Sequence, residues 1–186
     1  MLLIFKFLSN FECLKSFFLK KILFLLLVAF VLIQFFPIEK TNPPVNKGMD
    51  FLTIKQTPEP MAAQIRAACY DCHSNETVYP WYSRIQPFGW WLKNHIDEGR
   101  EHLNFSIYST YELKRQTHKM EESAEMVANG EMPIESYLLL HEKAKLTDAQ
   151  RKEMIAYFRK VEQETKTANN LPTEEHQEAG ESDQAH

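Results

Sequence analysis

The sequence predicts an all-α fold: a small helical domain built around one flat prosthetic group and preceded by a single N-terminal transmembrane helix. Three observations carry this expectation. Cys69-Tyr70-Asp71-Cys72-His73 sets two thiols beside an imidazole. Residues 1–36 are strongly apolar. Between residues 59 and 162, apolar side chains recur at helical spacing.

The pattern C-x-x-C-H is the attachment signature of a c-type haem. Two thiols add across the two porphyrin vinyl groups and become thioethers. The two-residue gap presents both sulfurs to one edge of the ring. His73 then offers an imidazole nitrogen to the iron as proximal ligand. A redox dithiol and half of a zinc site use the same spacing. A four-cysteine zinc site needs a second close pair, and Cys13 is the only other cysteine. A thioredoxin-like dithiol needs a strand before the pair and a helix after it. Here a helical stretch precedes it and Pro80 soon follows.

Both ends of the 186-residue chain read as non-globular, leaving residues 59–162 as one domain of roughly 100 residues. Apolar burial alone makes a core of that size marginal, and a covalently held macrocycle supplies missing core volume. The formal net charge of −4 and the lack of a basic stripe argue against nucleic acid. Five glycines with no Gly-rich loop argue against a nucleotide site.

Residues 1–36 read as a cytoplasmic stub and transmembrane anchor. Phe17 to Phe36 is interrupted only by Lys20, Lys21 and Gln34, and as a helix it spans about 30 Å, enough to cross a hydrocarbon core. Lys6, Lys15, Lys20 and Lys21 oppose the single acid Glu12, so the N-terminus stays cytoplasmic and the rest crosses. The exit, Phe35-Phe36-Pro37-Ile38-Glu39, lacks the small residues of a cleavage site. The expectation is an uncleaved single-pass anchor in the inner membrane, with lipid as partner and the domain on the periplasmic side, where bacteria attach haem covalently. Cys13 reads as an incidental thiol. Residues 37–58, with Pro37, Pro43, Pro44 and Pro58, read as a semi-rigid linker. The alternative is an arm packed through Phe51, Leu52 and Ile54.

Glu59–Ala68 reads as a helix that delivers Cys69, with Pro60 in its first turn. Tyr79, Trp81, Tyr82, Phe88, Trp90 and Trp91 form an aromatic run, read as ordinary packing or as a wall around the porphyrin. Phe88–Glu101 looks helical, with Trp91, Leu92, His95 and Ile96 on one side. Ser109 and Thr110 can cap a long helix that stops near Asn129-Gly130 and carries Leu113, Met120, Ala124 and Val127 on its apolar side. His118, among charged neighbours, reads as solvated. Glu131-Met132-Pro133 puts a thioether on a stiffened loop, either as axial ligand or as core filler. Thr147 and Gln150 form a capping box for a last helix that buries Ile155, Phe158 and Val161. Residues 163–186 are acidic and polar and read as a disordered tail, so His176 and His186 are not expected to be ligands.

Several ordered blocks carry a resemblance: Cys69-Tyr70-Asp71-Cys72-His73-Ser74-Asn75-Glu76-Thr77, Tyr79-Pro80-Trp81-Tyr82, Gly99-Arg100-Glu101-His102-Leu103-Asn104-Phe105-Ser106, Gly130-Glu131-Met132-Pro133, and Tyr137 with Leu138 to His141. Over about residues 60–160 the chain resembles the haem-binding domain family of bacterial membrane-anchored, cytochrome c-like proteins. The resemblance implies covalent haem on Cys69 and Cys72, with His73 as proximal ligand. It favours Met132 as distal ligand and leaves His95 as the alternative.

The leading expectation is a membrane-anchored mono-haem c-type cytochrome that carries electrons between redox partner proteins rather than catalysing a reaction. A second is an open iron site that senses small ligands or reduces peroxide, with His95, His102 and His141 as distal groups. A third keeps Cys69 and Cys72 as free thiols.

Overall fold

The computed structural model describes residues 2–171, with side chains described from Phe17. Eight α-helices run in the order α1 (Leu2–Ile33), α2 (Phe51–Ile54), α3 (Glu59–Ile65), α4 (Asp71–His73), α5 (Phe88–His102), α6 (Leu113–Ala128), α7 (Glu135–Leu138) and α8 (Asp148–Ala168), and the described residues contain no strand. The all-α expectation holds. The chain divides into two compact units, one formed by residues up to Lys40 with Pro80–Asn94, the other by Thr41–Tyr79 with the residues from His95 onward.

In the first unit, α1 ends at Ile33 and turn hydrogen bonds close over Gln34, Phe35 and Phe36. Its described apolar part, Phe17–Ile33, spans about 25 Å at 1.5 Å per residue. Among the described residues, no helix is long and apolar enough to cross a membrane. The transmembrane helix expected over Phe17 to Phe36 is thus not found among them, and the helix itself stops at Ile33. The apolar side chains of this helix stay largely uncovered, with Leu19 at 68% and Leu25 at 65% exposure. The side chain of Cys13 lies outside the described residues.

The second unit holds the core. Phe51, Ile65, Phe105, Tyr108, Met120, Met154 and Phe158 are fully buried together. Helices α6 and α8 form its main packed pair. Stretch 37–58 is more than the expected linker: Asp50 caps α2 by accepting from the Leu52 and Thr53 amides at 3.1 and 3.4 Å. That cap turns Phe51 into the core, where its ring meets Phe105 at 5.1 Å and Tyr108 at 5.0 Å. The packed-arm alternative is the one observed for Phe51 and Leu52.

Element ends depart from expectation for local reasons. The stretch expected to end at Ala68 stays helical through His73, because a π-turn over Arg66–Tyr70 joins α3 to α4. Ser109 and Thr110 cap nothing. They belong to a 3₁₀ segment, Phe105–Thr110, and α6 starts after Glu112, whose side chain makes no cap bond. Leu113 is consequently 41% exposed, while Met120, Ala124 and Val127 are buried as expected. Gly130 adopts φ +77°, the left-handed stop expected after α6. The capping box of Thr147 and Gln150 forms. Helix α8 then runs past 162 and buries Glu162 and Thr165, so residues 163–168, expected as tail, are helical. Residues 172–186, with His176 and His186, lie outside the described residues.

Candidate haem site

A cavity of about 260 Å³ opens in the second unit, and Cys69, Cys72 and His73 line it together with His95 and Met132. The chain thus brings all five candidate residues to one place from three separate segments. Its walls are mainly apolar: Leu103, Phe105, Met126, Val127, Pro133, Ile134, Tyr137 and Phe158. Polar groups enter from α5 and α6 as Glu98, His102 and Glu122.

His73 is fixed by α5. Its Nδ1 lies 2.9 Å from the carbonyl oxygen of Gly99 and 3.0 Å from that of Leu103. Carbonyl oxygens only accept, so Nδ1 carries the proton and donates, leaving Nε2 with its lone pair. Burial lowers the His73 pKa, opposed by these two bonds, so the ring is neutral. A neutral imidazole whose far nitrogen is held by backbone carbonyls is the form a metal ligand takes. The approach of α5 depends on Gly99. A Cβ there would meet the Cys72 carbonyl oxygen at 2.7 Å, so only glycine lets the helix reach the imidazole.

Both residues between the cysteines anchor the motif. The Tyr70 hydroxyl donates to Asp50 Oδ2 at 2.9 Å, and its ring stacks on Phe105 at 5.4 Å. Asp71 accepts from the Val78 amide at 2.9 Å and from the Tyr137 hydroxyl at 2.7 Å. The segment after His73 is held by a buried polar net. Asn104 Nδ2 donates to Asn75 Oδ1 at 2.8 Å, the Asn75 amide donates to Ser106 Oγ at 3.0 Å, and Arg100 Nε donates to the Ser74 carbonyl at 2.8 Å. The same net accounts for the small polar side chains of the blocks around 69–77 and 99–106: Asn75, Asn104 and Ser106 bond across the blocks, and Ser74 bonds within its own.

Burial pushes the Cys69 thiol up to about 12, with the neighbouring Cys72 adding to the effect. Burial likewise pushes Cys72 up to about 11, Asp71 adding and Arg100 opposing. Both are protonated near neutrality, unlike the low-pKa nucleophile of a redox dithiol. The described residues contain no strand before the pair. They also contain no group of three or more His, Cys, Asp or Glu placed to hold a metal ion. Among the described residues, then, neither the strand of a dithiol site nor the further ligands of a zinc site accompany the pair.

Met132 sits on the loop between α6 and α7, half-buried against the core. The Met126 carbonyl accepts from both the Glu131 and Met132 amides, at 3.0 and 3.1 Å, and ties that loop to the end of α6. Met126 puts a second thioether on the cavity wall, one that sequence reasoning passed over. Its signal was its place one turn before the Asn129-Gly130 stop, next to the buried Val127. Of the expected distal histidines, His95 and His102 line the cavity. His141 does not: its ring stacks on Tyr137 at 3.8 Å and its Nδ1 lies 2.9 Å from the Tyr137 carbonyl. His118 is solvated as expected, with 67% side-chain exposure. The aromatic run 79–91 contributes nothing to the cavity wall, which Phe105, Tyr137 and Phe158 build instead.

The residues present fit a haem: apolar walls for the ring, two protonated thiols within the same cavity, a neutral imidazole with Nε2 available, and thioether sulfur. Fold and site together define a helical haem-binding domain. The chain belongs to the Haem-binding domain family, which it matches over residues 28–160. No curated protein and no solved structure matches it.

Proposed function

We propose that the protein is a membrane-anchored mono-haem c-type cytochrome that carries electrons. Cys69 and Cys72 hold the haem by thioethers, His73 Nε2 is the proximal ligand and Met132 the distal one, with His95 as the alternative. Bound in this way, the haem supplies a one-electron redox couple. The observation that carries the reading is the doubly bonded Nδ1 of His73, which reserves Nε2 beside two thiols in one cavity. With His73 and Met132 both as ligands, the iron would keep no open position, which would suit transfer to redox partner proteins rather than catalysis.

The anchor is α1. Its apolar side chains from Phe17 to Leu32 are exposed, and a bilayer is the medium that covers a helix apolar all round. Local thinning of the hydrocarbon layer and snorkelling by Lys20 and Lys21 accommodate a span of about 25 Å. The lysine-rich N-terminus keeps that end cytoplasmic and sends the haem domain to the periplasmic side of the inner membrane.

The test is carbon monoxide addition to the dithionite-reduced protein. Wild type is expected to keep its reduced spectrum, and Met132→Ala to shift to a carbon monoxide form. A large shift in wild type supports a second reading, favoured by His95 and His102 on the cavity wall, of an open iron site that senses ligands or reduces peroxide.

A further inference from the structure

The aromatic run that the haem cavity leaves out has its own placement. In the first unit, Pro80–Asn94 folds against the C-terminal end of α1. Gln34 and Gln86 clasp each other: the Gln34 side chain donates to the Gln86 carbonyl at 3.1 Å and accepts from the Gln86 amide at 2.9 Å. Trp90 Nε1 donates to the Phe36 carbonyl at 2.9 Å. Gln86 is 1% exposed, and a Cβ on Gly89 would meet its amide at 2.7 Å and the Ser83 carbonyl at 2.6 Å. This attachment is built: the part-buried clasp ties a side chain just past α1 to the Gln86 backbone, while the last α1 carbonyls accept turn bonds from Gln34, Phe35 and Phe36.

Beyond the clasp, the segment turns large apolar surface outward. Trp81 is 70% exposed, Phe88 58%, and Trp90 and Trp91 40% each, continuous in the chain fold with Phe35 at 76% and Phe36 at 67%. A patch of this kind on a water-facing surface calls for a partner. Residues 80–94 carry two cations, Arg84 and Lys93, of which Arg84 is exposed, and no carboxylate. Indole-rich surface with basic side chains at the end of an apolar helix has the composition of the bilayer interface, where the rings sit at headgroup level and cations meet anionic lipid.

We propose that Pro80–Asn94 is an interfacial collar that embeds in the headgroup boundary of an anionic lipid bilayer where α1 leaves it. The collar fixes the depth of α1 through the Gln34–Gln86 clasp and extends a helix whose described apolar part is short. The inference rests on the anchor in the proposed function and on nothing about the haem.

All three tryptophans of the chain, Trp81, Trp90 and Trp91, lie in the collar, so intrinsic fluorescence reports on it alone. The full holoprotein is reconstituted into phosphatidylethanolamine–phosphatidylglycerol vesicles and compared with vesicles whose acyl chains carry bromine at shallow or deep positions. The emission ratio cancels constant quenching by the haem. The expected result is a blue-shifted emission, strongly quenched by shallow bromines and less by deep ones, and lost quenching in the double variant Trp81→Ser/Trp91→Ser relative to a Trp90→Phe control. If the protein floats with the vesicles while bromine leaves the emission unchanged, α1 inserts and the aromatic surface faces water or a protein. The collar is then wrong and the anchor stands. If the protein does not float with vesicles, anchor and collar both fall.

Discussion

Replacing Gly99 by alanine adds one methyl group where α5 meets the Cys72 backbone. The new Cβ would lie 2.7 Å from the Cys72 carbonyl oxygen, 3.1 Å from its carbonyl carbon and 3.2 Å from its Cβ. Two of these atoms are backbone and cannot swing aside, so α5 must retreat until the contact nears the ordinary 3.4 Å. The His73 Nδ1 bonds of 2.9 and 3.0 Å then stretch to about 3.6 Å, beyond hydrogen-bond reach. Overpacking costs about 1–3 kcal/mol, and a buried imidazole N–H left without its acceptor costs about 1–3 kcal/mol. Better helix propensity returns about 1 kcal/mol. The expected net loss is roughly 1–5 kcal/mol, or at least about 4–8 °C in melting temperature for a domain this size. Thermal denaturation followed by circular dichroism reads that loss, and the reduced absorption spectrum reads the freed imidazole. Gly130→Ala is the control. Its φ of +77° is strained by a side chain, yet nothing lies within 4 Å, so it lowers stability by backbone strain while leaving the two His73 Nδ1 bonds in place. The reasoning is refuted if Gly99→Ala melts at or above wild type with an unchanged spectrum.

Other expectations follow from the same geometry. Tyr70→Phe removes the donor to the buried Asp50 carboxylate and is expected to lose about 1–3 kcal/mol in urea denaturation; no change would mean Asp50 is satisfied without it. Phe51→Ala empties a fully buried ring site and is expected to cost about 3–5 kcal/mol, so a chain begun at Glu59 should fail to fold by circular dichroism. A well-folded truncation would return residues 37–58 to the role of a linker. In haem-free protein carrying Cys13→Ser, alkylation of Cys69 and Cys72 at pH 8 is expected to run over a hundredfold slower than for an ordinary thiol of pKa about 8.5, with the rate climbing through pH 11–12. The sign follows from burial. The folded pKa values are raised, so stability is intact below pH about 8.5 and falls as the unfolded thiols ionise first, up to the folded values. Fast alkylation at neutral pH would revive the dithiol reading.

The shared placement of Cys69, Cys72 and His73 and the helix patterns were legible because each depends on neighbours in sequence. Cys69, Cys72 and His73 share one helical turn, and Met120, Ala124 and Val127 declare their face by spacing alone. Phe51 was harder to read. Four prolines around it suggest an extended tether, and only Asp50 turning the chain into α2 shows the ring going inward. The aromatics from Trp81 to Trp91 look like pocket wall in composition, since an indole suits a porphyrin and a bilayer interface equally. What takes them out of the cavity wall is tertiary: a Gln34–Gln86 hydrogen bond between residues 52 apart in sequence joins the segment to the end of α1. The carbonyls that fix the His73 tautomer leave no sequence signal beyond the glycine that admits them.

The most direct test of the central claim is the intact mass of the purified protein under denaturing conditions, taken with its pyridine haemochrome spectrum. The expected result is one haem's mass added to the polypeptide, a c-type haemochrome at one per chain, and loss of both in Cys69→Ser/Cys72→Ser. An unmodified mass, with the colour extracted into acid acetone, would contradict covalent attachment at this site.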